Sequence, residues 1–199
     1  MGPSPTSWAI FGVDSRLSSD WVIIVKSTRP STDIHHHAVA GLQHVTTRKH
    51  VHEESFPVTP ERLFSLLHTP SAIRRWWSVS QAIVVPEAGG LWAATWGEEE
   101  DDPDYVTVAT IREFDPPRRM VLTDYRYRSK TGGLPFEADF IVEFVVTPHP
   151  DGAMLRVSQD GFPAGPEGDS FYAACDKGWR DTFAGIRGFL RGLTIGGSQ

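Results

Sequence analysis

Between residues 138 and 146, apolar and polar side chains alternate. Phe140, Val142 and Phe144 share one face and Asp139 and Glu143 the other, which is the period of a strand with one side on a core. Towards the C-terminus the period lengthens. Trp179, Phe183, Ile186, Leu190 and Leu193 follow at spacings of four, three, four and three, a single stripe on a helix of about 3.6 residues per turn. Arg180, Asp181, Arg187 and Arg191 lie largely off that stripe. This helix is predicted over 171–193, and the Gly196-Gly197 pair ends helical order.

The stretch before them divides in the same way. A loosely alternating strand is predicted over 48–58, ending near Pro57. Thr59-Pro60-Glu61 then opens a short helix, with Thr59 as its cap, Pro60 in its first turn and Leu63, Phe64, Leu66 and Leu67 on its apolar side. Thr69-Pro70 ends that helix and by the same capping logic begins another, through Ile73 to Trp77. Strands are predicted over 82–85, 91–96, 105–114, 120–127, 138–146 and 154–160. Turn chemistry separates most of them: the acidic run 98–104, Asp115-Pro116-Pro117, Thr131-Gly132-Gly133 and Pro150-Asp151-Gly152. Strand, two short helices, six strands and a long helix make an α+β pattern. The sheet must cover one apolar face, and the long amphipathic helix is its cover. If the sheet curls around that helix, the gap between them is a cavity.

The alternation assigns inward faces. Trp92 and Trp96 share a face with Ala94 between them, and Leu155, Val157 and Gln159 share another. Gln159 then points inward and needs a hydrogen-bond partner from protein, water or ligand. Over 120–127 two faces compete: Val121, Thr123, Tyr125 and Tyr127 on one, Met120, Leu122, Asp124 and Arg126 on the other. Either can be inward; if the second is, Asp124 and Arg126 pair at the pocket mouth.

Residues 1–45 differ. Pro3, Pro5 and Pro30 punctuate them, and only Trp21-Val22-Ile23-Ile24-Val25 reads as a short strand. The chain is therefore read as a poorly ordered extension over 1–45, one domain over 46–195 and a tail over 196–199. A length of 199 residues and a 40% hydrophobic fraction suffice for one core. A net charge of -6 argues against nucleic acid. Seven Trp and eleven Phe can line a cavity or fill a core. The single Cys175 excludes an internal disulfide, and no run approaches the ~20 apolar residues of a membrane span. Residues 1–13 have no basic leader, so the expected compartment is the cytoplasm. Cys175 reads as an inert core thiol.

Several pieces in this order carry a resemblance. They are Val58-Thr59-Pro60-Glu61-Arg62-Leu63-Phe64, Thr69-Pro70, Arg75-Trp76-Trp77, Gly89-Gly90-Leu91-Trp92, the run from Glu113 to Thr123, Gly161-Phe162-Pro163 and Gly178-Trp179-Arg180-Asp181-Thr182-Phe183. Over roughly residues 48–194 the chain resembles the SRPBCC (START-like, helix-grip) superfamily. More narrowly, it is similar to the C-terminal-domain type of homologues of the activator of the Hsp90 ATPase. The resemblance implies a seven-stranded antiparallel sheet wrapped on the last helix, a hydrophobic pocket and no fixed cofactor. It does not imply one reaction, since lipid carriers, hormone receptors, cyclases and chaperone partners share the fold. Residues 1–45 depart from it.

Other constellations stand beside that resemblance. His35-His36-His37, His44, His50 and His52 crowd together, and His50 and His52 share one face of a strand as a metal pair can. No third or fourth ligand is apparent, Glu53 and Glu54 being unplaced, so solvated histidines and no metal are expected. In Arg74-Arg75-Trp76-Trp77 the indoles are expected to close the core and the arginines to face water, and the acidic run is read as a solvated hairpin tip. There is no Ser-His-Asp pattern, zinc signature or phosphate loop. By resemblance to cyclases, Asp124, Tyr125, Arg126 and Gln159 are the proton-transfer candidates. No catalytic residue is assigned.

The expected function is binding of a small hydrophobic molecule by Trp76, Trp92, Trp96, Tyr125, Phe140, Phe144, Gln159, Trp179 and Phe183. The alternatives are a cyclase- or hydratase-like enzyme acting on an aromatic or polyketide-like substrate, and a module that contacts a chaperone or self-associates.

Overall fold

The computed structural model describes residues 47–196 apart from Pro135, with side chains to Gly192. The extension over 1–45 with its strand at 21–25, His35-His36-His37, His44, the side chain of Leu193 and residues 197–199 lie outside the described residues. Seven strands and three α-helices follow in order: β1 (Thr47–Phe56), α1 (Pro60–His68), α2 (Pro70–Trp76), β2 (Gln81–Val84), β3 (Leu91–Trp96), β4 (Tyr105–Asp115), β5 (Arg119–Ser129), β6 (Ile141–His149), β7 (Gly152–Pro163) and α3 (Asp169–Gly196). One antiparallel sheet runs β1-β7-β6-β5-β4-β3-β2. It curves around α3 in the helix-grip arrangement, with β1 and β2 as its edges.

Local chemistry sets the boundaries. Thr59 Oγ1 accepts from the Arg62 N–H at 3.3 Å and Pro60 occupies the first turn of α1. Thr69 acts differently from that expectation: its N–H closes α1 on the Ser65 carbonyl, and its side chain makes no cap bond to α2. β6 begins at Ile141 rather than 138, although Phe140, Val142 and Phe144 are buried as the alternation requires. α3 starts at Asp169 and runs to Gly196, past both predicted ends.

The ambiguity over 120–127 resolves into neither face alone. Thr110 pairs with Thr123 and Val108 with Arg126, so β5 spends three residues where β4 spends two. The extra residue is accommodated at Asp124, whose φ is +55°. Asp tolerates this left-handed conformation better than most residues, and such a bulge switches which parity points inward. Met120 and Leu122 are therefore buried in the core, whereas farther along Tyr125 and Tyr127 turn inward and Asp124 and Arg126 are exposed. On the convex face Arg119 reaches Glu113 and Glu143 at 2.7 Å each, tying β4, β5 and β6 together.

The main core lies between sheet and helices, around Leu63, Leu66, Ile73, Ile111, Met120, Leu122 and Ile186. α3 crosses α2 so closely that a β-carbon on Gly185 would sit 2.2 Å from the Trp76 carbonyl oxygen. A smaller cluster of Phe140, Phe162, Phe171 and Cys175 packs near the start of α3.

Candidate ligand-binding cavity

Along one flank of α3 the side chains are small. Cys175, Gly178 and Thr182 accompany Trp179 there, and opposite them stand Trp77 after α2, Trp92 and Trp96 of β3, Tyr105 and Thr107 of β4, Leu122 and Tyr125 of β5, Val142 and Phe144 of β6 and Gln159 of β7. The inner chamber they enclose has about 80 Å³ of space, where one water needs about 10–15 Å³ by the same kind of measure. Thr107, Tyr125 and Gln159 also line a second, more open chamber of about 360 Å³, bounded by Leu134, Phe136, Phe140, Phe171 and the carboxylates of Glu137 and Asp139. These three residues form the partition between an apolar interior and a more polar vestibule.

The inner chamber's polar groups are indole N–H groups, which only donate, and the Gln159 amide and the hydroxyls of Tyr105, Thr107, Tyr125 and Thr182, which donate or accept. The Trp179 indole N–H donates to Gln159 Oε1 at 2.7 Å. An indole N–H cannot accept, so this bond fixes the carboxamide's orientation and leaves its NH₂ end as a pair of donors. The indole nitrogens of Trp77 and Trp96 are buried and have no hydrogen-bond partner among the described residues. Burial pushes the Tyr125 phenol far above its ordinary value of 10.0 and the Cys175 thiol well above 9.0. Both are held in the neutral form, and Cys175 is a buried free thiol.

Six of the nine residues expected at the site line the inner chamber: Trp92, Trp96, Tyr125, Phe144, Gln159 and Trp179. Phe140 lines the vestibule. Trp76 and Phe183 line neither. Trp76 is held in the core by its N–H bond to the Leu66 carbonyl at 2.9 Å, and its neighbour Trp77, stacked on it, faces the chamber instead. Phe183 turns towards β1 and stacks on Phe56 at 6.1 Å. The polar pair imagined at the mouth, Asp124 and Arg126, is on the outside. Cys175, Gly178 and Thr182 were missed, although with Trp179 they recur at spacings of three, one and three, a helix-face signal written in small residues.

The histidines also differ from expectation. His50 is only 4% exposed and His52 is half-buried. Both face Asp176 of α3, with Nδ1 of His50 and Nε2 of His52 at 3.6 and 3.4 Å from Oδ1. Burial lowers both imidazoles below the ordinary 6.5 and outweighs the opposing pull of Asp176.

A curved antiparallel sheet gripping a C-terminal helix, with an aromatic chamber between them, defines a domain of the START-like, SRPBCC class. The chain belongs to the family described as Activator of Hsp90 ATPase homolog 1-like protein, whose model matches residues 57–191. Among solved structures it is similar to protein MLL2253 of Mesorhizobium loti, with a TM-score of 0.59 and 23% identity over 72% of this chain and 97% of that one. It is also similar to a protein of Rhodobacter sphaeroides, with a TM-score of 0.59 and 19% identity over 73% and 93%. A third is CalU16 of Micromonospora echinospora, with a TM-score of 0.55 and 18% identity over 73% and 76%. These likenesses concern the fold. No curated protein matches the chain. No helix among the described residues is long and apolar enough to cross a membrane.

Proposed function

We propose that this protein binds a small, mainly apolar molecule that carries a hydrogen-bond acceptor. Its apolar part and its acceptor both occupy the inner chamber, beside Trp77 and Trp96, and the vestibule past Thr107, Tyr125 and Gln159 is the way in. The observation that carries this reading is the pairing of an aromatic wall with buried donors that lack acceptors, at Trp77 and Trp96. A buried N–H left unsatisfied costs roughly 1–3 kcal/mol, and an acceptor on the ligand would recover it. The apolar surface removed from water would add about 25 cal/mol per Å². The inner chamber is lined by no charged side chain and Asp124 and Arg126 are exposed, which favours binding over proton transfer.

The test is native mass spectrometry of the purified chain for a co-purified small molecule, followed by titration with an uncharged apolar dye read through the tryptophans. The dye should bind the wild type and fail to bind a folded Trp96→Asp variant. Equal binding by both would remove Trp96 from the site and this reading with it.

Contact with an Hsp90-type chaperone is a second reading, favoured by the family description. Exposed Ile83, Val85 and Leu91, on and beside edge strand β2, are the candidate surface. Loss of a purified chaperone's binding in Ile83→Asp would support it. The single buried cysteine accords with residence in a reducing compartment such as the cytoplasm.

A further inference from the structure

About 100° around α3 from the flank that lines the cavity, the helix faces β1, and there the inward side chains of the strand from Arg48 to Glu54 are polar. Arg48 pairs with Asp169 at 2.6 Å and Glu54 with Arg187. Between these two pairs lie His50, His52 and Asp176, and they are not paired in the same simple way. His50 Nε2 lies 2.8 Å from the Tyr172 carbonyl oxygen. A carbonyl only accepts, so Nε2 carries the proton, and in the neutral ring Nδ1 presents its lone pair. That Nδ1 faces Asp176 Oδ1 at 3.6 Å. His52 Nε2 faces the same oxygen at 3.4 Å, is buried, and has no hydrogen-bond partner among the described residues. Arg180 occupies the other oxygen, Oδ2.

The Nδ1 lone pair of His50, His52 Nε2 and Asp176 Oδ1 therefore face one another. The three donor atoms lie within 4.8 Å of one another. A tetrahedral ion with bonds of 2.0–2.1 Å separates its ligands by about 3.3 Å, close to the two distances to Asp176. The Tyr172 carbonyl behind His50 is the outer partner that typically fixes the tautomer and ring orientation of a metal-binding histidine. Two imidazoles and one carboxylate suit a transition metal better than calcium or magnesium, which prefer oxygen. We propose that His50 Nδ1, His52 Nε2 and Asp176 Oδ1 bind a divalent transition-metal ion of the zinc class, with solvent as the fourth ligand. The ion would fasten edge strand β1 to α3. Asp176, about one-third exposed, leaves a path from solvent.

The test uses the full chain after chelator treatment, titrated calorimetrically with ZnCl₂. One ion per chain is expected. Asp176→Asn and His52→Gln should each weaken binding at least 100-fold, while replacing His35, His36 and His37 together by Ala should leave it unchanged. Added Co²⁺ should give the intense visible spectrum of a four-coordinate site in the wild type and lose it in the two variants. In the wild type itself, imidazole ¹H–¹⁵N spectra should show His50 Nδ1 and His52 Nε2 shifting when zinc is added, a readout independent of whether a variant folds. No saturable zinc binding, unshifted His50 and His52 nitrogens, or binding lost only in the His35–His37 variant would overturn the proposal.

Discussion

The two flanks of α3 solve the same packing problem with different chemistry. Towards β3–β7 the helix offers Cys175, Gly178, Trp179 and Thr182 to a wall of aromatic rings, and a chamber is left between them. Towards β1 it offers Asp169, Tyr172, Asp176, Phe183 and Arg187, and most meet a named partner: Arg48, the paired histidines, Phe56 or Glu54. One flank is held by area and leaves room; the other is held by directional pairs and closes. Apolar contact is non-directional and tolerates a gap, whereas a buried polar group must find its partner or carry the cost of being unpaired. A ligand chamber therefore belongs to the first flank and a fixed seam of polar contacts to the second.

The comparison breaks first at Trp179, which supplies both area and a polar bond. Trp179→Ala should lower unfolding stability by about 3–5 kcal/mol in urea denaturation, the largest single effect expected here. Trp179→Phe keeps most of the ring and leaves Gln159 Oε1 without its donor, and should cost about 1–3 kcal/mol. If the two variants were equally destabilised, the hydrogen bond rather than the area would dominate this flank. Gly185→Ala comes next. Its β-carbon would meet the Trp76 carbonyl oxygen, a backbone atom, so α2 and α3 must separate at an expected cost of about 1–3 kcal/mol. That shift would move Trp77 as well, and apolar dye binding should weaken with stability.

These flanks were not equally legible in the sequence. The chamber wall could be read from period-two and period-3.6 patterns because each is local: Trp92 and Trp96, or Phe140 and Phe144, declare their face within one strand. The failures fall where locality fails. A bulge at Asp124 reverses parity within a single strand, so Leu122 and Tyr125 both face inward although they sit on opposite faces of a regular ladder. Trp76 and Trp77 sit where α2 ends, and the rotation there decides which indole enters the core. On the seam, His50 and His52 meet a carboxylate more than a hundred residues later in the chain. No pattern around residues 50–52 points to Asp176, and none around 176 points back.

Titration separates the flanks more gently. His50 and His52 lie on the seam, and His68 is the last residue of α1, against Phe64 and Phe114. Burial lowers all three from the ordinary 6.5, so in this range the unfolded chain binds protons more readily than the folded one. Stability is then complete above pH 6.5 and declines as pH falls through 6.5 towards the folded values. In metal-free buffer the free energy of unfolding should drop between pH 7.5 and pH 5.5. A His68→Gln variant should retain the part of that slope due to the seam. A slope abolished by His68→Gln alone would show that the seam histidines do not feel their burial.

The smallest effect is expected from the outer pair of the seam, Glu54 and Arg187. Both side chains are partly exposed, at 26% and 40%, so solvent screens their attraction and each must be ordered to meet the other. A double-mutant cycle with Glu54→Gln and Arg187→Gln should give a coupling of about 0.2–1 kcal/mol that shrinks as salt is added. Directional contact at this end of the seam would then supply register between β1 and α3 rather than much stability. A coupling several times larger and indifferent to salt would mean that the pair behaves as a buried one. The seam would then rival the aromatic flank in holding α3 to the sheet, and the contrast between a flank held by area and a flank held by pairing would no longer be one of strength.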